Sequence, residues 1–313
     1  TAFRITGGTS WMIGESRLGL IATAGFGNKW RTRDNLQQTP ASFDLAEVDK
    51  DYRSVITDNR IVGNALLGLA YEFGEHRVRW TNLYVHDTLK QASLAAGKQN
   101  NQRTGQDFIE QSTAWYERQL GNTQLNGQFK FDPVTIDLRG GYARSKRDAP
   151  YEIAVGYSRS NSEASPYGAY FINRLDNGQT GFASVAFSNL KEDLWSVGAD
   201  VSANVFDGTV VSAGVDFADT QRDSSRRQFQ IIAPSSFPSG VAMFRPDYLV
   251  GAAVVDYFGI GLVETTESDP AFAASLRTRA GYLQVQSELT DGLELSVGAR
   301  LEHGEQDVRP LKV

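Results

Sequence analysis

Apolar and polar residues alternate along this chain and return in phase, segment after segment, without one long apolar run. Over positions 195–205 the odd residues are Trp195, Val197, Ala199, Val201, Ala203 and Val205. Between them stand Ser196, Gly198, Asp200, Ser202 and Asn204. After Asp207-Gly208 the pattern resumes, with Val211, Ala213, Val215 and Phe217 against Ser212, Gly214, Asp216 and Ala218. Leu293, Leu295, Val297, Ala299 and Leu301 oppose Glu294, Ser296, Gly298, Arg300 and Glu302 in the same way. A period of two places alternate side chains on opposite faces of a strand. Because the second face carries charges as well as small residues, it meets water. A strand with lipid outside and a wet lumen inside requires this pattern.

Composition narrows the class. The chain has 313 residues, 30 of them Gly, with 11% aromatics and no Cys. Glycine suits twisted strands and tight turns, and aromatics suit interfacial girdles. A chain without Cys forms no disulfides, which is compatible with an oxidising periplasm. The net charge of −6 argues against nucleic acid as a partner and gives no support to a polybasic lipid-binding patch. Mean hydropathy is −0.35. The most apolar stretches, 65–70 and 249–255, fall far short of the roughly 20 residues a spanning helix needs. Residues 1–6 read as strand and not as a signal peptide.

Turn residues divide the chain into ten strands in five hairpins: 2–13 with 17–33, 60–73 with 77–90, 108–131 with 134–147, 183–205 with 209–231, and 272–290 with 293–307. The hairpin turns are Gly14-Glu15-Ser16, Gly74-Glu75-His76, Asp132-Pro133, Asp207-Gly208 and Asp291-Gly292. Asp-Gly pairs suit tight hairpins because Gly tolerates positive φ. The intervening connections are long, at 34–59, 91–107, 148–182 and 232–271. Short turns then lie at one end of an up-and-down sheet and long loops at the other, as in bacterial outer-membrane barrels. Segment 108–131 is read as one strand with a bulge or kink at Gly121. The mixed phase of 108–116 fits either a bulge or a strand extension beyond the membrane.

The lipid face is expected to carry Leu18, Leu20, Ala22, Ala24, Phe26 and Trp30 in the second strand, and Leu125, Phe129 and Phe131 in the fifth. Gln124, Asn126, Gln128 and Lys130 form the wet side of the fifth strand. In 77–90, Val78, Trp80, Asn82 and Tyr84 share one face, with Leu83 and Val85 on the other. A soluble β-sandwich also alternates. It is disfavoured by strands of 15–20 residues, where about 5–6 is usual, by the many Ala and Gly on the apolar face, and by the loop asymmetry.

Residues 280–289, Ala-Gly-Tyr-Leu-Gln-Val-Gln-Ser-Glu-Leu, are followed by Asp291-Gly292 and by a strand carrying Gly298-Ala299-Arg300-Leu301-Glu302. This resembles a mid-barrel hairpin of the TonB-dependent outer-membrane receptors. Tyr116-Glu117-Arg118-Gln119-Leu120, Gln124-Leu125-Asn126-Gly127 and the run Tyr142–Pro150 are similar to a descending strand, turn and ascending strand of that family. The resemblance implies an all-β fold, a transmembrane antiparallel up-and-down β-barrel. Residues 1–313 would supply the N-terminal portion, about ten strands, of a single barrel domain of about 22. The family's plug domain and its terminal aromatic are expected to be absent, since the sequence starts in strand and ends at Lys312-Val313. The implied function is import of a scarce nutrient, such as a ferric siderophore, haem, cobalamin, oligosaccharide or peptide, across a Gram-negative outer membrane. The TonB complex would act through a plug outside this chain, and outer-membrane lipid and lipopolysaccharide would surround it. A passive porin or a structural barrel is the alternative.

No catalytic signature is expected, and neither a cofactor nor a metal. His76, His86 and His303 are scattered, and His76 reads as a solvated turn residue. The sequence Gly156-Tyr157-Ser158-Arg159-Ser160 lacks the second Gly of a nucleophile elbow. Asp200, Asp216, Glu288 and Glu302 read as partners of Arg139, Arg144 or Arg300, not as paired acids of a glycosidase. Candidate ligand contacts cluster in 148–182: Tyr151, Tyr157, Tyr167, Tyr170, Phe171 and Arg174, with Arg159, Asn161 and Asn173 nearby. Tyrosine offers large contact area at low entropic cost. In 232–271, Phe244-Arg245-Pro246-Asp247-Tyr248 reads as the start of a short helix, and the apolar run after it as a lid or a structural cap.

Overall fold

A computed structural model describes residues 1–41, 43, 48–99, 106–176, 178, 180–266 and 270–312. The parts of the expected connections at 42, 44–47, 100–105, 177, 179 and 267–269, and Val313, lie outside the described residues. The long strands are β1 (Ala2–Ile13), β2 (Ser16–Pro40), β3 (Val48–Phe73), β4 (His76–Gln99), β5 (Asp107–Phe131), β6 (Val134–Arg159), β7 (Phe182–Phe206) and β8 (Thr209–Ile232). Two short helices follow, α1 (Pro246–Leu249) and α2 (Ala252–Phe258), then the short β9 (Gly261–Glu264), β10 (Ala271–Thr290) and β11 (Leu293–Pro310). All strands join one antiparallel sheet in the order β1 to β8, then β10 and β11, with β9 added to the end of β8. The fold is all-β and up-and-down.

All five hairpin turns stand where their residues place them, with Gly208 at φ +72 and Gly292 at φ +84. Strands run further than expected at the opposite end, and the expected connections shrink accordingly. There β2 and β3 stay paired through Thr32 and Thr57, whose hydroxyls are 3.0 Å apart, and through Arg53 and Asp34 at 2.6 Å. Both faces are polar at this level, so the alternation fades while the backbone ladder continues.

The irregularity expected at Gly121 occurs elsewhere. Gly121 pairs in unbroken register with Tyr84 and Arg144. The register breaks instead beside Pro150, between Ala149 and Glu152 against β7 and opposite Tyr116 on β5. Proline has no N–H to give a ladder, so it collects at bulges. The break inverts the facing of β6: even residues up to Asp148, but odd residues from Tyr151, share the apolar face.

Cross-strand partners point to the same face, so the register fixes the two faces. Outward on β7 run Val205, Ala203, Val201, Ala199, Val197 and Trp195, then Asp193 and Lys191. On β11 the series is Leu293, Leu295, Val297, Ala299 and Leu301, then His303 and Glu305. Such a band, 8–10 residue steps long, is about 27–33 Å along the strand, or about 20–25 Å high at a tilt of about 40°. All five tryptophans, Trp11, Trp30, Trp80, Trp115 and Trp195, lie on this face. Towards the turns, Tyr71 stacks on Phe73 with centroids 5.3 Å apart. His76 is the first residue of β4 and not a solvated turn residue: it packs against Phe73 and Phe131 and accepts a hydrogen bond from the Lys130 amide. At the other border Tyr142 packs on Trp195 at 4.4 Å.

Beyond that border a closed core forms. Val155 and Tyr157 of β6 and Ala183 of β7 meet Leu175, Ala233, Phe237, Ala242, Leu249 and Ile260 from the two long connections. Proline opens α1 at its first turn, as its fixed φ allows, and Phe237 meets Phe258 edge-on at 5.3 Å. The buried Asn173 ties the core together, donating to the Phe182 carbonyl and accepting from the Leu175 amide. By register Val155, Tyr157 and Ala183 continue the apolar face. Residues 233–260 therefore form a cap on that side of β6–β8, not a lid across the polar face.

Candidate functional site

The polar face of β6 to β11 carries a compact ion cluster. Arg139 of β6 bonds to Asp200 of β7 and, at 2.5 Å, to Asp216 of β8. The Tyr282 hydroxyl donates to Asp200 at 2.7 Å. Arg300 reaches Asp216 at 3.4 Å and Glu302 at 3.1 Å. Arg139 and Asp216 are not on adjacent strands: Gly198 lies between them in the same row. A Cβ there would come within 2.5 Å of Arg139 Nε and 2.6 Å of Asp216 Oδ1. Gly214 likewise separates Asp200 from Tyr282, and a Cβ would approach them to 2.2 and 2.3 Å. These two glycines let side chains bond across an intervening strand.

The expected partnership of Asp200, Asp216 and Glu302 with Arg139 and Arg300 is thus present. Arg144 is on the other face, bonded to Asp193 at 2.6 Å. Arg139 sits between Asp200 and Asp216 and holds both, which is not the arrangement of an acid and a nucleophile flanking a substrate. A recess of about 260 Å³ borders Arg139, Asp216, Arg300 and Glu302.

A second polar cluster lies nearer the loop end. Asp87 joins Arg60 at 2.9 Å and Arg118 at 3.4 Å. Asp58 accepts from Arg33 at 2.5 Å and from Gln91 at 2.7 Å. Glu152 accepts from the Tyr116 hydroxyl at 2.5 Å and from Arg226. Sequence reasoning missed these groups because their partners are 25–74 positions apart and only the register brings them together.

The six residues selected from sequence do not converge. Tyr151 lies on β6 with its ring edge against Trp115, 6.2 Å between centroids. Tyr157 is buried, its hydroxyl donating to the Phe244 carbonyl at 2.8 Å. Burial, with Asp247 nearby, pushes its phenol well above the ordinary range. Phe171 packs against the cap core under Arg159, 4.7 Å from its ring centroid. Arg174 donates to Ser239 at 2.6 Å, joining the two connections. Tyr167 and Tyr170 are exposed, at 36% and 55%. Near the base of the cap, Asn161 and Arg159 hold the Asp107 carboxyl below its usual range. Among the described residues no group of His, Asp and Glu is arranged to hold a metal ion.

No family model matches this chain, and no curated protein does. Among solved structures it is similar to the siderophore receptor PiuA from Acinetobacter baumannii, at 11% identity and a TM-score of 0.36 over 92% of this chain and 44% of that one. It is also similar to BauA, the ferric preacinetobactin receptor of Acinetobacter baumannii, at 11% identity and 0.35 over 98% and 51%. For FyuA, the ferric yersiniabactin uptake receptor of Yersinia pestis, the values are 9% and 0.27 over 97% and 52%. The chain spans about half the length of these structures.

Proposed function

We propose that this chain forms part of the wall of a Gram-negative outer-membrane receptor that captures a scarce nutrient and passes it along the polar face. The observation that carries the reading is the two-sided sheet. One side bears an apolar band about 20–25 Å high, bordered by aromatics, which matches a hydrocarbon layer. The other bears ion clusters that only a wet space would favour. In this reading the short turns are periplasmic and the cap is extracellular. Energy comes from the TonB complex through a plug outside this chain. Among the ligand contacts selected from sequence, the exposed rings of Tyr167 and Tyr170 offer stacking surface to an incoming solute. Tyr151, Phe171 and Arg174, held by Trp115, the cap core and Ser239, belong to the framework around the connection, and Tyr157 anchors the cap beneath.

The test uses the full-length receptor. Tyr167 and Tyr170 are replaced by Ala, and uptake of candidate nutrients is measured with and without a working TonB complex. Weakened uptake at unchanged surface expression, together with dependence on coupling, is the expected result. Uptake indifferent to both would make the protein a passive porin.

A further inference from the structure

The apolar face holds one feature that a plain lipid-contacting wall does not need. A groove of about 780 Å³ crosses β1 to β6, following the row in which Gly7, Ala22, Leu67, Asn82, Thr123 and Tyr142 are successive partners. Five strand spacings make it about 24 Å long. Its floor is shallow because Gly7, Ala22, Ala65 and Gly121 are small, and it ends at Tyr142 and Arg144. Strand tilt carries this row obliquely, from the middle of the band on β1 to its aromatic border on β6.

Two further observations define what fits there. Asn82 places a carboxamide in the middle of the groove, and its Nδ2 is covered without a hydrogen-bond partner among the described residues. At the border end, Lys146 and Lys191 stand directly opposite each other on β6 and β7, one row beyond Arg144. Like charges facing across a ladder repel. The acids around them are partly committed: Asp193 is bonded to Arg144 and to the Tyr142 hydroxyl, and its other oxygen is 3.7 Å from Lys191. Asp148 is held by Asn189, and Asp223 faces Lys191 from β8. Lys146, opposite Gln119, has no partner among the described residues.

We propose that this groove seats an acyl chain of a phosphorylated membrane lipid, with the phosphate resting on Lys146, Lys191 and Arg144. The proposal rests on the membrane reading above. The ester or amide carbonyl at the head of the chain supplies an acceptor that Asn82 reaches by rotating towards the groove. The phosphate relieves the repulsion between the two lysines. A neutral lipid meets only the apolar floor. A zwitterionic lipid brings a phosphate too, but its cation offsets that charge and is repelled by the two lysines, so it gains far less at the border than a phosphomonoester.

The full-length receptor folded into nanodiscs of phosphatidylcholine with a minor fraction of phosphatidic acid provides the test, read by native mass spectrometry after release. The expected result is retention of phosphatidic acid and loss of phosphatidylcholine. Lys146→Ala with Lys191→Ala should weaken retention about 30-fold, or five- to six-fold per lysine. Ala65→Trp, or Ala22→Leu if the first fails to fold, should abolish it by filling the floor. Equal retention of both lipids, or retention that survives both classes of variant, overturns the proposal. So does soluble glycerol phosphate binding as tightly as the lipid, since the acyl chain would then contribute nothing. Quenching of the native tryptophans by nitroxide-labelled acyl chains separates the two readings. Without quenching the membrane reading itself fails, whereas quenching without retained phosphatidic acid defeats the groove alone.

Discussion

The strand wall and the cap use the same apolar residue types in opposite ways. On the wall, Trp195 and Val215 are each 60% exposed. In the cap, Leu175 and Leu249 are wholly buried among aliphatic and aromatic neighbours. Water drives apolar surface together, so the cap core is what a segment builds when it must fold in water. The wall leaves its apolar side chains spread over one face, which is stable only where the surroundings are apolar as well. The two regions thus differ in the solvent they were selected to meet, and the aromatic border at Tyr142 and Trp195 marks the change.

The difference can be broken most directly at the centre of each region. Leu249→Ala should cost about 2–5 kcal/mol, because a cavity opens in a closed core. The loss should be confined to the cap, as amide hydrogen exchange would register. If the whole sheet lost protection instead, the cap would be no separate cooperative unit.

On the wall, Val201→Arg should weaken assembly into a bilayer by about 2–4 kcal/mol, since it places a charge near the middle of the band. Ser202→Arg, one residue on but facing the polar side, should be much milder in the same refolding titration. Equal penalties would contradict the facing assigned from the register.

A smaller effect is expected at the junction of the two regions. Tyr157→Phe keeps the ring in the core but removes the hydrogen bond to the Phe244 carbonyl, at a cost of about 0.5–1.5 kcal/mol. Exchange at the amides of 241–251 should rise, with the sheet unaffected.

The smallest is a pH effect on the rim of the cap. Arg227, helped by Thr266, draws the Glu264 carboxyl from 4.5 down to about 2, and Glu264 is the last residue of β9. A carboxylate depressed on folding adds stability above its unfolded pKa and loses it as the pH falls through the folded one. Pairing of β9 with β8 should therefore weaken between pH 4.5 and about pH 2, and Glu264→Gln should remove that part of the dependence. The Asp107 contact beneath the cap titrates with the same sign.

How much of this was legible beforehand follows from the range of each interaction. Strand existence, turn positions and the facing of β2, β5, β7, β8 and β11 depend on side chains two residues apart and on Asp-Gly turns, so the alternation contains them. That alternation survives only where the two faces meet different solvents. On β2 and β3 beyond the band both faces are mostly polar, and the continued pairing of 34–40 with 48–55 left no mark in the pattern. Pro150 was visible as a residue, but its effect on register depended on β5 and β7 lying on either side.

The sequence by itself determined a two-sided, up-and-down sheet, because period-two patterning and local turn chemistry act over a few residues. Only the tertiary structure decided which side chains act together. Arg139 meets Asp216 across Gly198, and Tyr157 is buried while Tyr167 stays exposed. Lys146 faces Lys191 through a register that runs unbroken from Val134 and Ala203 to Ala149 and Ser188. Each of these depends on strands or loops tens of residues apart, and that separation is closed by backbone pairing and packing, which no local pattern encodes.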